Sequence, residues 1–384
     1  MPSDASLPAT ATAPAPPGPI RAFWRAFREN RGAVLGLAVV SFILFVAIFA
    51  SVLAPYSPIE QFRGFSKLPP FWVEGSDPKF LLGTDAVGRD TLSRLMYGAR
   101  VSLFIGLSVM VVSMVVGVAL GLAAAFFGGF VDVIIIRVMD LIMAIPSLVL
   151  AILIIAIIGP NLTNTIVAVT IVGLPRYVRL VRASALTELT KDYVTAAKVS
   201  GVGKFRLMTV TVLPNCLAPL IVQAALGLSD AILEAAGLGF LGLGAQPPTP
   251  EWGSMLADTR DLMLSHPWVM AFPGIAILTT VLAINLMGDG LRDALDPRLR
   301  RSRDEPARDR EPHRRVQDRI RLFPRRRRRD HQGRQGRGAG HRRRIRVRQV
   351  RLHAGRHGPP AMDRKGDGRQ DALRGHRSSW NVGQ

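Results

Sequence analysis

A single cysteine, Cys216, among 384 residues excludes a disulfide framework and a multi-cysteine metal site. Histidine is scarce too, with seven in all. In the first 300 residues His266 stands apart, with no metal-ligand cluster and no nucleophile paired to a base around it. That region also lacks a Gly-x-x-x-x-Gly-Lys-Ser/Thr loop, so it has no phosphate cradle of its own. Acidic residues are few, 28 against 49 Lys+Arg, which gives a net charge of +21 and a pI near 11.4. Yet 48% of the chain is hydrophobic and its mean hydropathy is positive. Such basicity suits a polyanion binder and such apolarity suits burial, so the two properties must occupy different regions.

Dividing the chain at Arg300 separates them. Residues 1–300 hold 22 basic and 19 acidic residues, and 301–384 hold 27 and 9, so the net charges are +3 and +18. Within the body, Ala33 to Ala54 is an uncharged run of 22 residues, long enough as a helix to cross a hydrocarbon core of about 30 Å. It exceeds a signal-peptide apolar region and lacks a small-residue cleavage site, so it reads as a retained span. Arg21, Arg25, Arg28 and Arg31 precede it and place the N-terminus in the cytoplasm. Further apolar stretches run over 101–127, 132–158, 161–182, 211–233 and 269–288. The expected fold is an all-α integral membrane protein with six transmembrane helices. Residues 1–32 form a cytoplasmic N-terminal segment, the first 19 of them Ala/Pro-rich and disordered. The six-helix bundle occupies 33–300, and both termini are cytoplasmic. In this arrangement 55–98 and 234–268 lie outside and 183–210 lies inside. The fourth span, 161–182, is the weakest by hydropathy, because Pro175, Arg176 and Arg179 interrupt it, and those arginines are expected to snorkel toward the cytoplasmic headgroups.

Polar residues within spans mark surfaces that face the bundle or a pathway. The fifth span is the most polar, with Pro214, Asn215, Pro219, Gln223, Asp230 and, at its outer end, Glu234. Gln223, Asp230 and Glu234 are the pathway candidates; the alternative is that Gln223 and Asn215 simply hydrogen-bond neighbouring helices. Asp132 and Asp140 flank Arg137 and are expected to pair along their own helix. Gly117 and Gly121 form a small-xxx-small pattern suited to close helix packing.

The loop at 183–210 carries a helix–glycine–helix pattern. Thr190 is the expected N-cap, Asp192 sits in the first turn, Gly201 closes the helix in a left-handed conformation, and Lys204 to Met208 forms a second short helix. The segment Tyr193-Val-Thr-Ala-Ala-Lys-Val-Ser-Gly201, followed by Leu213-Pro-Asn215, resembles the EAA loop of ABC-importer permeases. Ala196, Ala197 and Gly201 match that motif, whereas Thr195 stands where the family carries glutamate. Longer motifs narrow the resemblance. Leu82 to Leu103, Gly239 to Gly253 and Phe272 to Arg298 are similar to segments of the C-type permease subunits of dipeptide, oligopeptide and nickel importers, over about residues 20–300.

The resemblance implies a bacterial inner-membrane transport subunit with no enzymatic site of its own. Such a subunit pairs with a second homologous permease, receives solute from an extracytoplasmic binding protein, and is driven by two cytoplasmic ATPase subunits, which bind the ATP and Mg. Tyr193, Thr195, Ala196, Ala197, Gly201, Leu213, Pro214 and Asn215 would then form the coupling element. Di- and oligopeptides, glutathione and nickel chelates are all handled by permeases with these motifs. The competing class is a secondary transporter or channel with a lipid-binding tail.

The arginine-rich tail, 301–384, is disordered by composition and leaves three readings open. Its arginine clusters suit anionic lipid or nucleic acid. With Phe323 and Trp380 as its only aromatic residues, it lacks the stacking platforms of a nucleic-acid binder. The third reading, and the favoured one, is translation out of frame. Codons for Gly340 to Val350 can be chosen so that a start one nucleotide later encodes Gly-Ile-Val-Gly-Glu-Ser-Gly-Ser-Gly-Lys, a Walker A loop of a neighbouring ATPase gene.

Overall fold

The computed structural model describes residues 18–295, and the expectations for the first 17 residues and for the 301–384 tail lie outside them. The described residues are helical apart from loops, with one isolated β-bridge between Thr84 and Asp90. An N-terminal helix, α1 (Pro19–Glu29), precedes α2 (Arg31–Ile48) and the short α3 (Ala50–Leu53). A long ordered loop then leads to α4 (Thr91–Phe127), α5 (Gly129–Met143), α6 (Ser147–Ile158) and α7 (Leu162–Leu189). After α8 (Asp192–Val199) come α9 (Lys204–Arg206), α10 (Leu213–Phe240), α11 (Trp252–Asp258) and α12 (Pro267–Leu295).

Four described helical stretches are long and apolar enough to cross a membrane: α2, α4, the continuous stretch from Lys204 to Phe240, and α12. The third expected span is not one rod. The α5 and α6 helices meet at 95°, and Pro146 stands at the break as the N-cap of α6. Proline disfavours helical geometry in the residue before it, so α5 cannot continue through Ile145. The α4 helix starts ten residues before the apolar run does, because Asp90 caps it by accepting from Ser93 N at 2.7 Å. Its 37 residues extend about 55 Å, well beyond a hydrocarbon core.

Small residues set the helix contacts. Gly121 on α4 faces α7 so closely that a Cβ would stand 2.8 Å from Val178 O and from Val181 Cβ, and Gly117 packs on Tyr177 one turn away. The small-xxx-small pattern is thus the α4–α7 seam. Gly36 on α2 leaves similar room for the α12 backbone at Ala283 and Met287.

The motifs 82–103 and 239–253 meet in a cap at one end of the bundle. Asp85 accepts from Arg89 Nε at 2.6 Å and pairs with Arg94 Nε at 3.6 Å, while Asp258 meets Arg89 Nη2 at 3.0 Å and Arg94 Nη2 at 3.4 Å. Glu251 caps α11 by accepting from Gly253 N at 2.8 Å and Ser254 N at 2.7 Å. Burial pushes its carboxyl above the ordinary range, and the two backbone donors oppose that shift only partly. The Trp252 indole donates to Leu95 O at 3.0 Å and lies against Gly98.

Candidate functional site

At the end of the bundle opposite the cap, α7 and α10 are the two arms that hold α8. The α7 helix stops at Thr190, which is its C-cap and not the N-cap of α8; the Thr190 hydroxyl donates back to Thr187 O at 2.8 Å. Lys191 takes the N-cap position instead, and Asp192 occupies the first turn of α8. The helix ends in a Schellman motif: Gly201, at φ +79°, donates to Lys198 O, and Val202 N donates to Ala197 O, both at 3.1 Å. A left-handed residue without a Cβ is what this closure demands, and Gly201 supplies it.

The expected second short helix is instead the first turn of a continuous helical arm. The α9 turn runs into a π-helical turn, Leu207–Val212, which leads directly into α10. Pro214 explains the widened turn, since it offers no N–H and its ring would crowd the carbonyl four residues back. Val194 is fully buried and anchors α8 in a cluster with Leu207, Val212, Cys216 and Leu220.

Polar contacts fix the same junction. The Tyr193 hydroxyl donates to Glu188 Oε2 at 2.6 Å, Lys191 Nζ meets Glu188 Oε1 at 2.6 Å, and Asn215 Nδ2 donates to the Tyr193 oxygen at 3.1 Å. One network therefore ties the end of α7, the start of α8 and the first turn of α10. Burial acts to raise the Glu188 carboxyl, but the bonds from Lys191 and Tyr193 outweigh it and hold the group below the usual carboxylate range. Desolvation and the Glu188 charge push the Tyr193 phenol up to about 12.

Of the expected coupling residues, Tyr193 and Asn215 touch each other, and Ala197 and Leu213 are half-buried. Thr195, Ala196, Gly201 and Pro214 face outward. Glu188 was not singled out from sequence, although its spacing of three from Lys191 on a helix end was the available signal. The outward face also carries two apolar side chains, Val199 at 85% and Phe205 at 76% exposure, among Lys198, Lys204 and Arg206.

The second candidate region lies between α4, α7 and α10. Gln223, Asp230 and Glu234 line one cleft together with Arg176 and Tyr177. The cleft holds about 10 Å³ of free volume, room for about one water. Arg176 Nη1 is bonded to Asp230 across it. Two expectations are corrected here. Asp132 and Asp140 do not pair along α5 with Arg137 but reach α7, where Asp132 takes Arg182 through two bonds of 2.5 and 2.6 Å and Asp140 takes Arg179. Arg176 and Arg179 are engaged across helices rather than extended toward headgroups. Their i, i+3 spacing was legible, whereas acceptors on other helices were not. Among the described residues no group of three or more His, Cys, Asp or Glu side chains is placed to hold a metal ion.

Comparison with known proteins places the chain in a family. Residues 117–301 match the family of binding-protein-dependent transport system inner membrane components, and residues 18–70 match the N-terminal TM domain of oligopeptide transport permease C. The di/tripeptide transport system permease protein of Pseudomonas aeruginosa is 58% identical over 284 residues, covering 74% of this chain and 94% of its own. The dipeptide transport system permease protein of Escherichia coli K12 is 59% identical over 289 residues, covering 75% and 96%. A solved inward-facing structure of the MetNI methionine ABC transporter covers 53% of this chain and 96% of its own, at 20% identity and a TM-score of 0.44. With relatives of this identity matched over nearly their whole length, the chain belongs to the binding-protein-dependent inner-membrane components, the permease subunits of ABC importers.

Proposed function

We propose that this chain is one of two homologous permease subunits in an ATP-driven importer of di- and oligopeptides. In this reading an extracytoplasmic binding protein delivers the peptide, and two cytoplasmic ATPase subunits bind ATP and Mg and move the bundle. The chain itself carries no ATPase site and no cofactor. It lies in a bacterial inner membrane with both termini cytoplasmic, in contact with lipid and with no nucleic-acid role. Peptide as the substrate class is supported by the names of relatives at 58% and 59% identity.

The observation that carries the mechanism is the way α8 is held. A short helix fixed by Val194, by the Gly201 closure and by the Glu188–Tyr193–Asn215 network transmits a push to α7 and α10 together. Tyr193, Asn215, Ala197 and Leu213 seat the coupling element, and Thr195, Ala196, Gly201 and Pro214 form the face it presents to the ATPase. A rigid displacement of this unit shifts the bundle between two states, and Gln223, Asp230 and Glu234 line the passage so opened.

The test is reconstitution of the full transporter in liposomes with its neighbouring permease, ATPase and binding protein. Uptake of a labelled dipeptide should require both ATP and the binding protein. Deleting Val194 to Gly201 should abolish ATPase association while the chain still inserts. Uptake that persists without the ATPase subunits would overturn the proposal.

A further inference from the structure

Arg176, Arg179 and Arg182 recur at every third residue of α7, so they follow one another in steps of about 4.5 Å along the helix axis. Each is held by a carboxylate from another helix: Asp230 on α10, Asp140 on α5 and Asp132 on α5. Side-chain exposures are 43% and 48% in the first pair, 43% and 43% in the second, and 31% and 23% in the third. Charges left this open do not face hydrocarbon, where they are strongly disfavoured. As clamps between helices they are weak, since solvent screens an exposed pair. The bond to Asp230 uses Nη1 of Arg176 and the bond to Asp140 uses Nη2 of Arg179, so each guanidinium keeps further N–H donors for another acceptor.

We propose that this stripe is a zwitterion-exchange track for the free termini of short peptides, an inference that rests on the peptide-importer reading above. At each rung the peptide carboxylate replaces the protein carboxylate on the guanidinium, and the released aspartate takes the peptide ammonium. No covalent bond changes and charge is conserved at every step. Arg176 is the entry rung, because Asp230 and, four residues along, Glu234 line the same cleft and offer the ammonium two acceptors once the bundle shift widens it beyond its one-water volume. An extended dipeptide is about 7 Å long, more than the step of about 4.5 Å, so it reaches the next arginine before it leaves the last. Weak pairs are what such exchange requires, because a fully buried pair would hold the peptide out. The Arg182–Asp132 pair makes two bonds and is the least exposed, so it forms the tightest rung, at the end nearest α8.

The experiment uses the whole transporter purified in detergent without the binding protein, so that solute selection by that protein plays no part. Gly173→Cys places a thiol one turn from Arg176, in the same cleft, where a Cβ meets only Ser113 Oγ at 3.7 Å. The native thiol, Cys216, is buried. A charged, membrane-impermeant maleimide should label the new thiol, and a millimolar zwitterionic dipeptide should slow labelling by about fivefold, the effect of about 1 kcal/mol. The same dipeptide blocked as an N-acetyl or C-terminal amide derivative should give little protection, and Arg176→Gln should abolish it. Equal protection by free and blocked peptides, or labelling unaffected by either, overturns the track. Complete inaccessibility to the maleimide overturns it as well and makes this face a permease–permease contact. Met110→Cys, on the α4 wall of the cleft, gives the same readout if the Gly173 variant does not insert. Uptake by the parent complex is measured first: no dipeptide uptake sinks the peptide reading, whereas uptake without protection sinks the track alone.

Discussion

The Tyr193 hydroxyl donates to Glu188 Oε2 at 2.6 Å, and this bond joins α8, the proposed coupling helix, to the arm that precedes it. Tyr193→Phe removes the bond and leaves Glu188 with Lys191 alone. Tyr193 is partly exposed, so the loss in stability should be modest, about 1 kcal/mol. The functional loss should be larger: ATP hydrolysis should continue while peptide uptake per ATP falls, because α8 then moves without drawing α7 along. Measuring both rates on one reconstituted sample checks this, and a parallel fall in the two would exclude a coupling role.

The same network sets a pH window. Glu188 is held below its ordinary value of 4.5, so its contribution is complete above that value and is lost as pH falls through the depressed one. Tyr193 is raised from 10.0 to about 12, so its contribution is complete below 10.0 and fades as pH rises toward 12. The difference in melting temperature between parent and Tyr193→Phe should therefore stay level from about pH 5 to 9 and shrink above about pH 10. A difference that grows with alkalinity would contradict the assignment.

The cap predicts a ranking. Asp85 faces Arg89 and Arg94, whose side chains are only 10% and 3% exposed, whereas Asp258 is itself 30% exposed. Asp85→Asn leaves two buried cations with only the more exposed Asp258 as counter-charge and should cost about 3 kcal/mol, and Asp258→Asn, which keeps the buried Asp85, nearer 1 kcal/mol. Thermal unfolding of the detergent-solubilised variants orders the two; the reverse order would show that the cap is held elsewhere.

Much of this architecture was legible because it rests on local rules. The α8 closure follows from Gly201, and the α4–α7 seam from Gly117 and Gly121, since a missing Cβ marks close approach in any context. Hydropathy located the bundle but not the start of α4, because Asp90 begins a helix whose first ten residues are broken up by Thr91, Ser93, Arg94 and Arg100. The break at Pro146 was also local and was obscured by the strong apolar runs on either side. The pairs of Arg176, Arg179 and Arg182 belong to a different class: their acceptors lie 39 to 54 positions away, and only the packing of α5 and α10 against α7 selects them. For the same reason Glu188 emerged only from the fold, since its role depends on Tyr193 turning back toward α7.

Gly98 is the space that Trp252 fills. A Cβ there would stand 2.7 Å from Trp252 Cδ1 and 2.9 Å from Nε1, and the indole cannot withdraw without losing its bond to Leu95 O. Gly98→Ala should destabilise the cap by about 1–3 kcal/mol. Its effect should be strongly non-additive with Trp252→Leu, by at least about 0.5 kcal/mol in a double-mutant cycle on thermal stability. Simple additivity would mean that the two residues do not share this contact.

Phe205 and Val199 project from the α8 end of the bundle at 76% and 85% exposure, flanked by Lys198, Lys204 and Arg206. An exposed aromatic with a cationic rim fits a partner groove that is apolar at its centre and acidic at its edge. Phe205→Ala should weaken association with the ATPase by about tenfold or more, mainly through faster dissociation. Lys198→Gln should change mostly the association rate and its salt dependence. Binding kinetics to the purified ATPase subunit separate these effects, and an unchanged off-rate in Phe205→Ala would remove that residue from the contact.

The last prediction concerns the charge of residues 301–384. The family match ends at residue 301, and relatives aligned over 94% and 96% of their own lengths occupy only 74% and 75% of this chain. The net +18 therefore falls where the family offers no counterpart. If it reflects a shifted reading frame, a chain ended after Arg300 should insert, bind its ATPase and import peptide at the parent rate in neutral and in anionic liposomes alike. A lipid-binding segment predicts otherwise. Arginines near an anionic surface contribute about 1 kcal/mol each, so truncation would then lower uptake in anionic liposomes, and the difference would vanish at high salt. Sequencing the gene supplies the independent arm, because the frameshift reading requires an alternative frame across codons 340–351 that encodes a phosphate loop ending in Gly-Lys-Ser. Parent-like uptake together with that frame would make +3, the charge of the first 300 residues, the value that bears on function.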